Sequence, residues 1–158
     1  MGEKKCLVAC YSRTGTTRQV AEAVAKELHA DLEEIVDMKK RSGAMGFVVG
    51  GKDAKLKKLT EIDEPRSDPA SYALVVIGTP VWAGTMCPAV RTYITRFKDK
   101  LPDVAFFLTT GGSGIDRTFA AMAELCGKEP LARLGLTAKQ VRKEDWSARV
   151  KKFAERVG

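Results

Sequence analysis

Short apolar runs alternate along this chain with stretches that carry the spacing of one-sided helices, and that alternation limits the fold more than any other feature. Strand-like runs occur at Cys6–Tyr11, Leu74–Thr79 and Val104–Thr109, with a weaker alternating run at Leu32–Asp37 and a further one at Leu131–Leu136. Thr17–His29 places Val20, Ala21, Val24, Ala25 and Leu28 on one helix face. Pro88–Phe97 does the same through Val90, Ile94 and Phe97, and Pro88 suits a first helical turn. A third helix is expected from about Asp116 to Cys126, stopped by Gly127 and Pro130, and a last one from about Lys143 to Val157 that buries Trp146, Val150 and Phe153.

Strands joined through helices form right-handed crossovers and a parallel sheet covered on both faces. The expectation is one α/β domain over residues 1–158, a doubly wound five-stranded parallel sheet of order 2-1-3-4-5. The near-continuous apolarity of the first, third and fourth strands marks them as central, whereas Leu32-Glu33-Glu34-Ile35 reads as an edge. In such a sheet ligands bind beyond the carboxyl ends of the strands, at the point where the strand order reverses. Met38–Tyr72 is longer than a simple crossover needs and should hold an extra element beside the second helix. Its apolar cluster Ala44, Met45, Phe47, Val48 and Val49 reads either as core, or as a flap or partner contact.

Composition narrows the function classes. The 158 residues carry a net charge of +7, but Lys39–Lys58 alone holds seven Lys/Arg against Asp53, a local +6. The basicity is therefore local, and suits an acidic protein partner or an anionic substrate at least as well as nucleic acid. No apolar run approaches the roughly 20 residues of a membrane span. Met1-Gly2-Glu3-Lys4-Lys5 leads into the first strand without a secretory signal, so a cytoplasmic location is expected. Cys6, Cys10, Cys87 and Cys126 form no C-x-x-C pair and only His29 is available to join them, which argues against a metal site. Cys6 and Cys10 should share one strand face as buried thiols; Cys87 lies in a loop near the expected ligand edge.

Three loops carry the chemistry. Ser12-Arg13-Thr14-Gly15-Thr16-Thr17 links the first strand to the first helix and offers hydroxyls, amides and a helix dipole to an anion. The loop lacks G-x-x-x-x-G-K-[ST] and G-x-G-x-x-G, so neither a nucleotide hydrolase nor a dinucleotide site is indicated. Cys6 is seven positions before Arg13 and inside the strand, out of register for a small tyrosine phosphatase, and Tyr11 and Thr79 stand where a receiver domain needs carboxylates. Gly78-Thr79-Pro80-Val81-Trp82-Ala83-Gly84 brings an indole to the end of the third strand, with a large apolar face to stack on a flat ring or pack on a helix. Thr109-Thr110-Gly111-Gly112-Ser113-Gly114-Ile115 exposes backbone groups to a close neighbour.

Taken together, Tyr11–Thr17, Thr79–Gly84 and Thr110–Gly114 resemble the three FMN loops of the flavodoxin family, and the likeness in layout covers nearly the whole chain, in its short-chain form. The resemblance implies FMN as cofactor, with Ser12, Thr14, Gly15, Thr16 and Thr17 at the phosphate and Arg13 beside it. It implies that Trp82 flanks the isoalloxazine, with Thr79, Pro80 and Val81 of the same loop also binding the cofactor, that the Ala83-Gly84 peptide lies near its N5, and that Thr110, Gly111, Gly112 and Gly114 meet its pyrimidine edge. The tyrosine that often covers the second ring face is missing, leaving Ile115 or the Phe47 cluster as stand-ins, or an open face. The activity expected is electron transfer between redox partner proteins, through the basic Lys39–Lys58 segment, with no catalytic side chain. An FMN-dependent NAD(P)H or quinone oxidoreductase is the alternative, and a flavin-free binding module the third class.

Overall fold

The computed structural model describes residues 5–39, 41 and 43–158; Met1–Lys4, Lys40 and Ser42 lie outside the described residues, and with them most of the start segment and one lysine of the basic stretch. In chain order the elements are β1 (Cys6–Cys10), α1 (Thr16–Leu28), β2 (Asp31–Glu34), α2 (Gly43–Lys55), β3 (Leu74–Trp82), β4 (Thr85–Met86), α3 (Pro88–Phe97), β5 (Asp103–Thr110), α4 (Ile115–Cys126), β6 (Arg133–Thr137), α5 (Ala138–Lys143) and α6 (Ser147–Val157). Five strands run parallel in the order β2-β1-β3-β5-β6, and β4 pairs antiparallel with the end of β3. Counting only parallel strands, this is the expected 2-1-3-4-5 arrangement; the added hairpin strand was not expected.

Side chains alternate across the sheet and sort into two cores. Leu7, Val75, Ile77, Phe106 and Leu108 face Tyr93 and Ile94 of α3 and Phe119 and Met122 of α4. Cys6, Val8, Cys10, Val76 and Phe107 face Val20 and Val24 of α1, Val141 of α5 and Val150 and Phe153 of α6. Cys6 and Cys10 thus share a face, as the strand period requires. Burial on both faces explains the unbroken apolarity of the central strands.

Two boundaries differ from expectation. The last helix starts later than expected, with α6 opening at Ser147 after Trp146 rather than at about Lys143, and an unexpected short helix, α5, precedes it, opening on a capping box in which Thr137 and Gln140 satisfy each other's backbone amides. Asp145 accepts hydrogen bonds from the Ser147 amide and hydroxyl, which turns the chain between the two helices. The edge strand β2 is shorter than expected and inverts its pattern, with Leu32 exposed and Glu33 buried, where it accepts the Ser67 amide. Besides α2, the Met38–Tyr72 stretch holds a turn of 3-10 helix at Pro69–Ser71, and its Ile62 forms an antiparallel bridge with Asp37 just before it. None of the helices among the described residues is long and apolar enough to cross a membrane.

Candidate functional site

The parallel register brings the carboxyl ends of the central strands level, with Cys10 beside Gly78 and Pro80 beside Thr109. The loops that leave these strands meet on one edge. In the first, the Gly15 amide donates to Ser12 Oγ at 3.0 Å and Gly15, at φ 99°, caps α1 without a side-chain hydrogen bond. The first turn of α1 holds no acidic residue either, so its amide end faces the loop with its partial positive charge uncompensated. That is the arrangement an anion completes. Thr14 is exposed and Ser12, Arg13, Gly15 and Thr16 are half-buried, accessible to a ligand. Thr17 is buried, and its hydroxyl shares a 2.8 Å hydrogen bond with that of Thr109, so its side chain braces α1 against β5 and only its backbone faces the loop.

In the second loop, β3 continues through Trp82, and Ala83 (φ 50°) and Gly84 (φ 78°) make a two-residue turn into β4. Two consecutive positive φ angles give the primed hairpin turn that matches strand twist. Thr79 is fully buried; its hydroxyl accepts the Cys87 amide at 3.1 Å and donates to the Pro80 carbonyl at 2.8 Å, fixing the corner from which the loop departs. Pro80, Val81 and Trp82 are half-buried above it. Cys87 is sealed below, and burial pushes its thiol up to about 11, which makes it an inert packing group. The Trp82 indole meets the Tyr11 ring edge-on, with centroids 5.5 Å apart and planes at 87°.

In the third loop, Thr110 Oγ1 accepts the amides of Gly112 and Ser113 and donates to the Ser113 carbonyl, winding the backbone around one hydroxyl. Gly114 adopts φ 84°, and a Cβ there would lie 3.1 Å from the Gly84 Cα, so only glycine lets this loop rest on the hairpin turn. Gly111 and Gly112 face open space. With Gly84, Ile115, Asp116 and Arg117, Gly112 and Gly114 line an open cleft of about 450 Å³. Ile115 leans on Gly135 of β6, and Phe47 lies under the Arg13 guanidinium at 5.6 Å. A separate cleft of about 330 Å³ beside β2 is lined by Glu33, Glu34, Asp63 and Glu64 together with Arg18, which pairs with Glu34, and Arg66.

Arg41 is the residue that sequence reasoning missed. Its buried guanidinium donates to Asp37 Oδ2 at 2.6 Å and to Asp53 Oδ2 at 2.9 Å, and lies 5.8 Å from the Trp82 ring. Lys39 adds a 3.0 Å bond to Asp53, and Arg13 reaches the Arg41 carbonyl. Burial alone would raise the Asp53 carboxyl, but the hydrogen bonds from Lys39 and Arg41 outweigh it and hold the group below its ordinary value. The network pins α2 against Trp82, where a Cβ on Gly50 would come within 2.9 Å of the indole. The basic run was visible in the sequence; the pairing of its one arginine was not, because the partners sit on opposite sides of a loop and a helix. Among the described residues no cluster of His, Cys, Asp or Glu is arranged to hold a metal ion.

The flavodoxin family model matches residues 5–153. Among solved structures, the chain is similar to the flavoprotein in complex with FMN from Lactobacillus acidophilus NCFM, with TM-score 0.72, 24% identity and coverage of 89% of this chain and 97% of that one. A candidate flavoprotein from Bacteroides uniformis ATCC 8492 gives TM-score 0.76 at 23% identity over 98% and 99% of the two chains. Oxidised flavodoxin 2 from Bacillus cereus gives 0.60 at 14% over 96% of each. At these identities the likeness establishes the fold. Comparison with curated proteins gives no match.

Proposed function

The chain belongs to the flavodoxin family, and on that premise we propose that it binds FMN on its three loops and transfers electrons between redox partner proteins in the cytoplasm. The observation that carries this reading is the mutual contact of the loops: Tyr11 on Trp82, Gly84 on Gly114, and Thr17 on Thr109. FMN, when bound, supplies the redox chemistry, taking up and releasing electrons one or two at a time. The uncapped end of α1 with Ser12, Thr14, Gly15 and Thr16 holds the phosphate, and the Thr17 amide completes the turn. Arg13, seated over Phe47, adds a neighbouring positive charge. Trp82, braced by Tyr11 and Arg41, presents its indole to the ring, with Thr79, Pro80 and Val81 setting its height. The Ala83-Gly84 peptide offers a carbonyl or an amide at the ring's edge according to its orientation, and Thr110, Gly111, Gly112 and Gly114 present backbone groups to the polar end.

The open cleft beside Arg117 favours a second reading, in which the same flavin site admits a small anionic or quinone substrate and the protein is an FMN-dependent NAD(P)H or quinone oxidoreductase. Stopped-flow mixing of the FMN-loaded protein with NADPH and with NADH separates the two. The carrier reading expects no bleaching of the flavin absorbance until a partner reductase is added; rapid bleaching by either nucleotide alone would replace it with the enzyme reading.

A further inference from the structure

Helix α2 is packed in the reverse of the usual sense. It turns small residues inward, Gly46 against the Arg41 backbone and Gly50 against Trp82, and its large apolar side chains outward. Met45 is 73% exposed, Phe47 65% and Val48 62%, and Met38, Leu56 and Leu59 extend the patch on either side. The buried Arg41 network, holding Asp37 before the helix and Asp53 within it, fixes the roll of the helix so that this face stays outward. Lys39, Lys52, Lys55, Lys57 and Lys58 surround the apolar side chains, all exposed. Between Met38 and Thr60 the only acidic residue is Asp53, which is buried and paired.

We propose that this face docks on the surface of an anionic lipid bilayer. Two features of the face select that occupant. Among the described residues the exposed charge from Lys39 to Lys58 is positive, with Glu61, Asp63 and Glu64 grouped beyond it at the Met38 end, and this excess disfavours a second copy of the same face and calls for a dense negative partner. And among the described residues from Lys39 to Lys58 every exposed cation is lysine, Arg41 being buried, while Arg13 of the first loop lies half-buried over Phe47. Protein interfaces enrich arginine, tyrosine and tryptophan and deplete lysine, whereas at a membrane surface long lysine stems lie along the apolar boundary and carry their ammonium groups out to the headgroups. An apolar tip of Met45, Phe47 and Val48 ringed by lysines fits the shallow insertion of an interfacial helix, reinforced by each nearby charge. Because α2 packs on Trp82, the bilayer would lie beside the candidate site. The inference goes beyond the cofactor reading and does not rest on it.

Co-sedimentation of the full chain, with and without added FMN, is the test, using vesicles of phosphatidylcholine alone and of phosphatidylcholine mixed with phosphatidylglycerol. The expected result is partitioning onto the mixed vesicles only, weakened by salt and the same in both FMN conditions, so that it succeeds or fails separately from cofactor binding. Lys55→Gln with Lys58→Gln should lower partitioning about 30-fold, and Phe47→Ser with Val48→Ser at least about tenfold. Equal binding to neutral vesicles, or no binding to either, would overturn the proposal. So would retention in the Phe47→Ser/Val48→Ser variant, which would leave charge attraction without insertion. Binding of soluble polyglutamate in place of vesicles would assign the face to an acidic protein instead, and a concentration-dependent dimer lost in the serine variant would assign it to a second copy. The comparison of the two vesicle compositions with the unaltered chain decides the matter even where a variant fails to fold.

Discussion

Thr17 and Thr109, ninety-two residues apart in the chain, share a buried hydrogen bond of 2.8 Å between their hydroxyls. It is the strut that ties the start of α1, and with it the anion loop, to the end of β5, from which the glycine loop departs. Removing one hydroxyl leaves the other buried without its partner, so Thr17→Val and Thr109→Val should each cost about 1–3 kcal/mol. The double variant should cost much less than the sum, because neither group is then stranded. Urea unfolding of all four proteins checks this; additive losses would mean that the pair does not act as one unit.

The contact of Gly114 with Gly84 makes a second prediction. Gly114→Ala places a Cβ 3.1 Å from the Gly84 Cα at a backbone φ of 84°. A left-handed alanine alone costs about 1–2 kcal/mol, and the hairpin turn must also shift. Thermal unfolding should show the loss, and FMN affinity should fall with it. Gly111→Ala, in open space, serves as the control and should change stability far less.

Acid should loosen α2 before the sheet. The folded Asp53 carboxyl lies below its ordinary value of 3.8, held there by Lys39 and Arg41 against the opposing effect of burial. A depressed carboxylate contributes stability that is fully present above the unfolded value and is lost as the pH falls through the folded one. Trp82 reports on this directly in a Trp146→Phe background, since these are the two tryptophans of the chain. Its fluorescence should change as the pH drops below about 4. Asp53→Asn should show the altered signal already at neutral pH and lose about 3 kcal/mol of stability. A flat acid profile in the parent would remove the network from its bracing role.

Much of this architecture was legible in the sequence for identifiable reasons. β1 and α3 fall where apolarity and Pro88 put them, because strands buried on both faces and a proline at a first turn leave few alternatives. The last helix was read from about Lys143, ahead of its start at Ser147, and α5 was not read at all; the Thr137-Gln140 box and the Asp145-Ser147 turn that set the two starts are local signals of the sequence. The three loops were legible as glycine, threonine and tryptophan clusters. What the clusters could not reveal is division of labour: Thr79 and Thr110 hold their loops in shape, and Thr17 turns away to Thr109. Arg41 was invisible as a brace for Trp82, since charge counting registers a basic run and not which cation is buried within it. The same limit hid the exposure of Met45 and Phe47, whose sequence pattern is equally that of a core helix.

The thiols provide a further check. Burial pushes Cys87 and Cys126 up to about 11 and Cys10 to about 12, so all three stay protonated and inert at neutral pH. A chromogenic disulfide reagent should react slowly with the native protein and label four thiols once it is unfolded. Rapid labelling of Cys87 in the native state would show that the corner beneath Thr79 opens, and that the second loop is not rigidly supported.

Titration of the cofactor-free protein with FMN, followed by quenching of flavin fluorescence, tests the central claim most directly. Quenching should be saturable and one-to-one, and the affinity should fall by about 1–3 kcal/mol on Trp82→Ala through loss of ring stacking. Absence of quenching, or an affinity unchanged by Trp82→Ala, would contradict that claim.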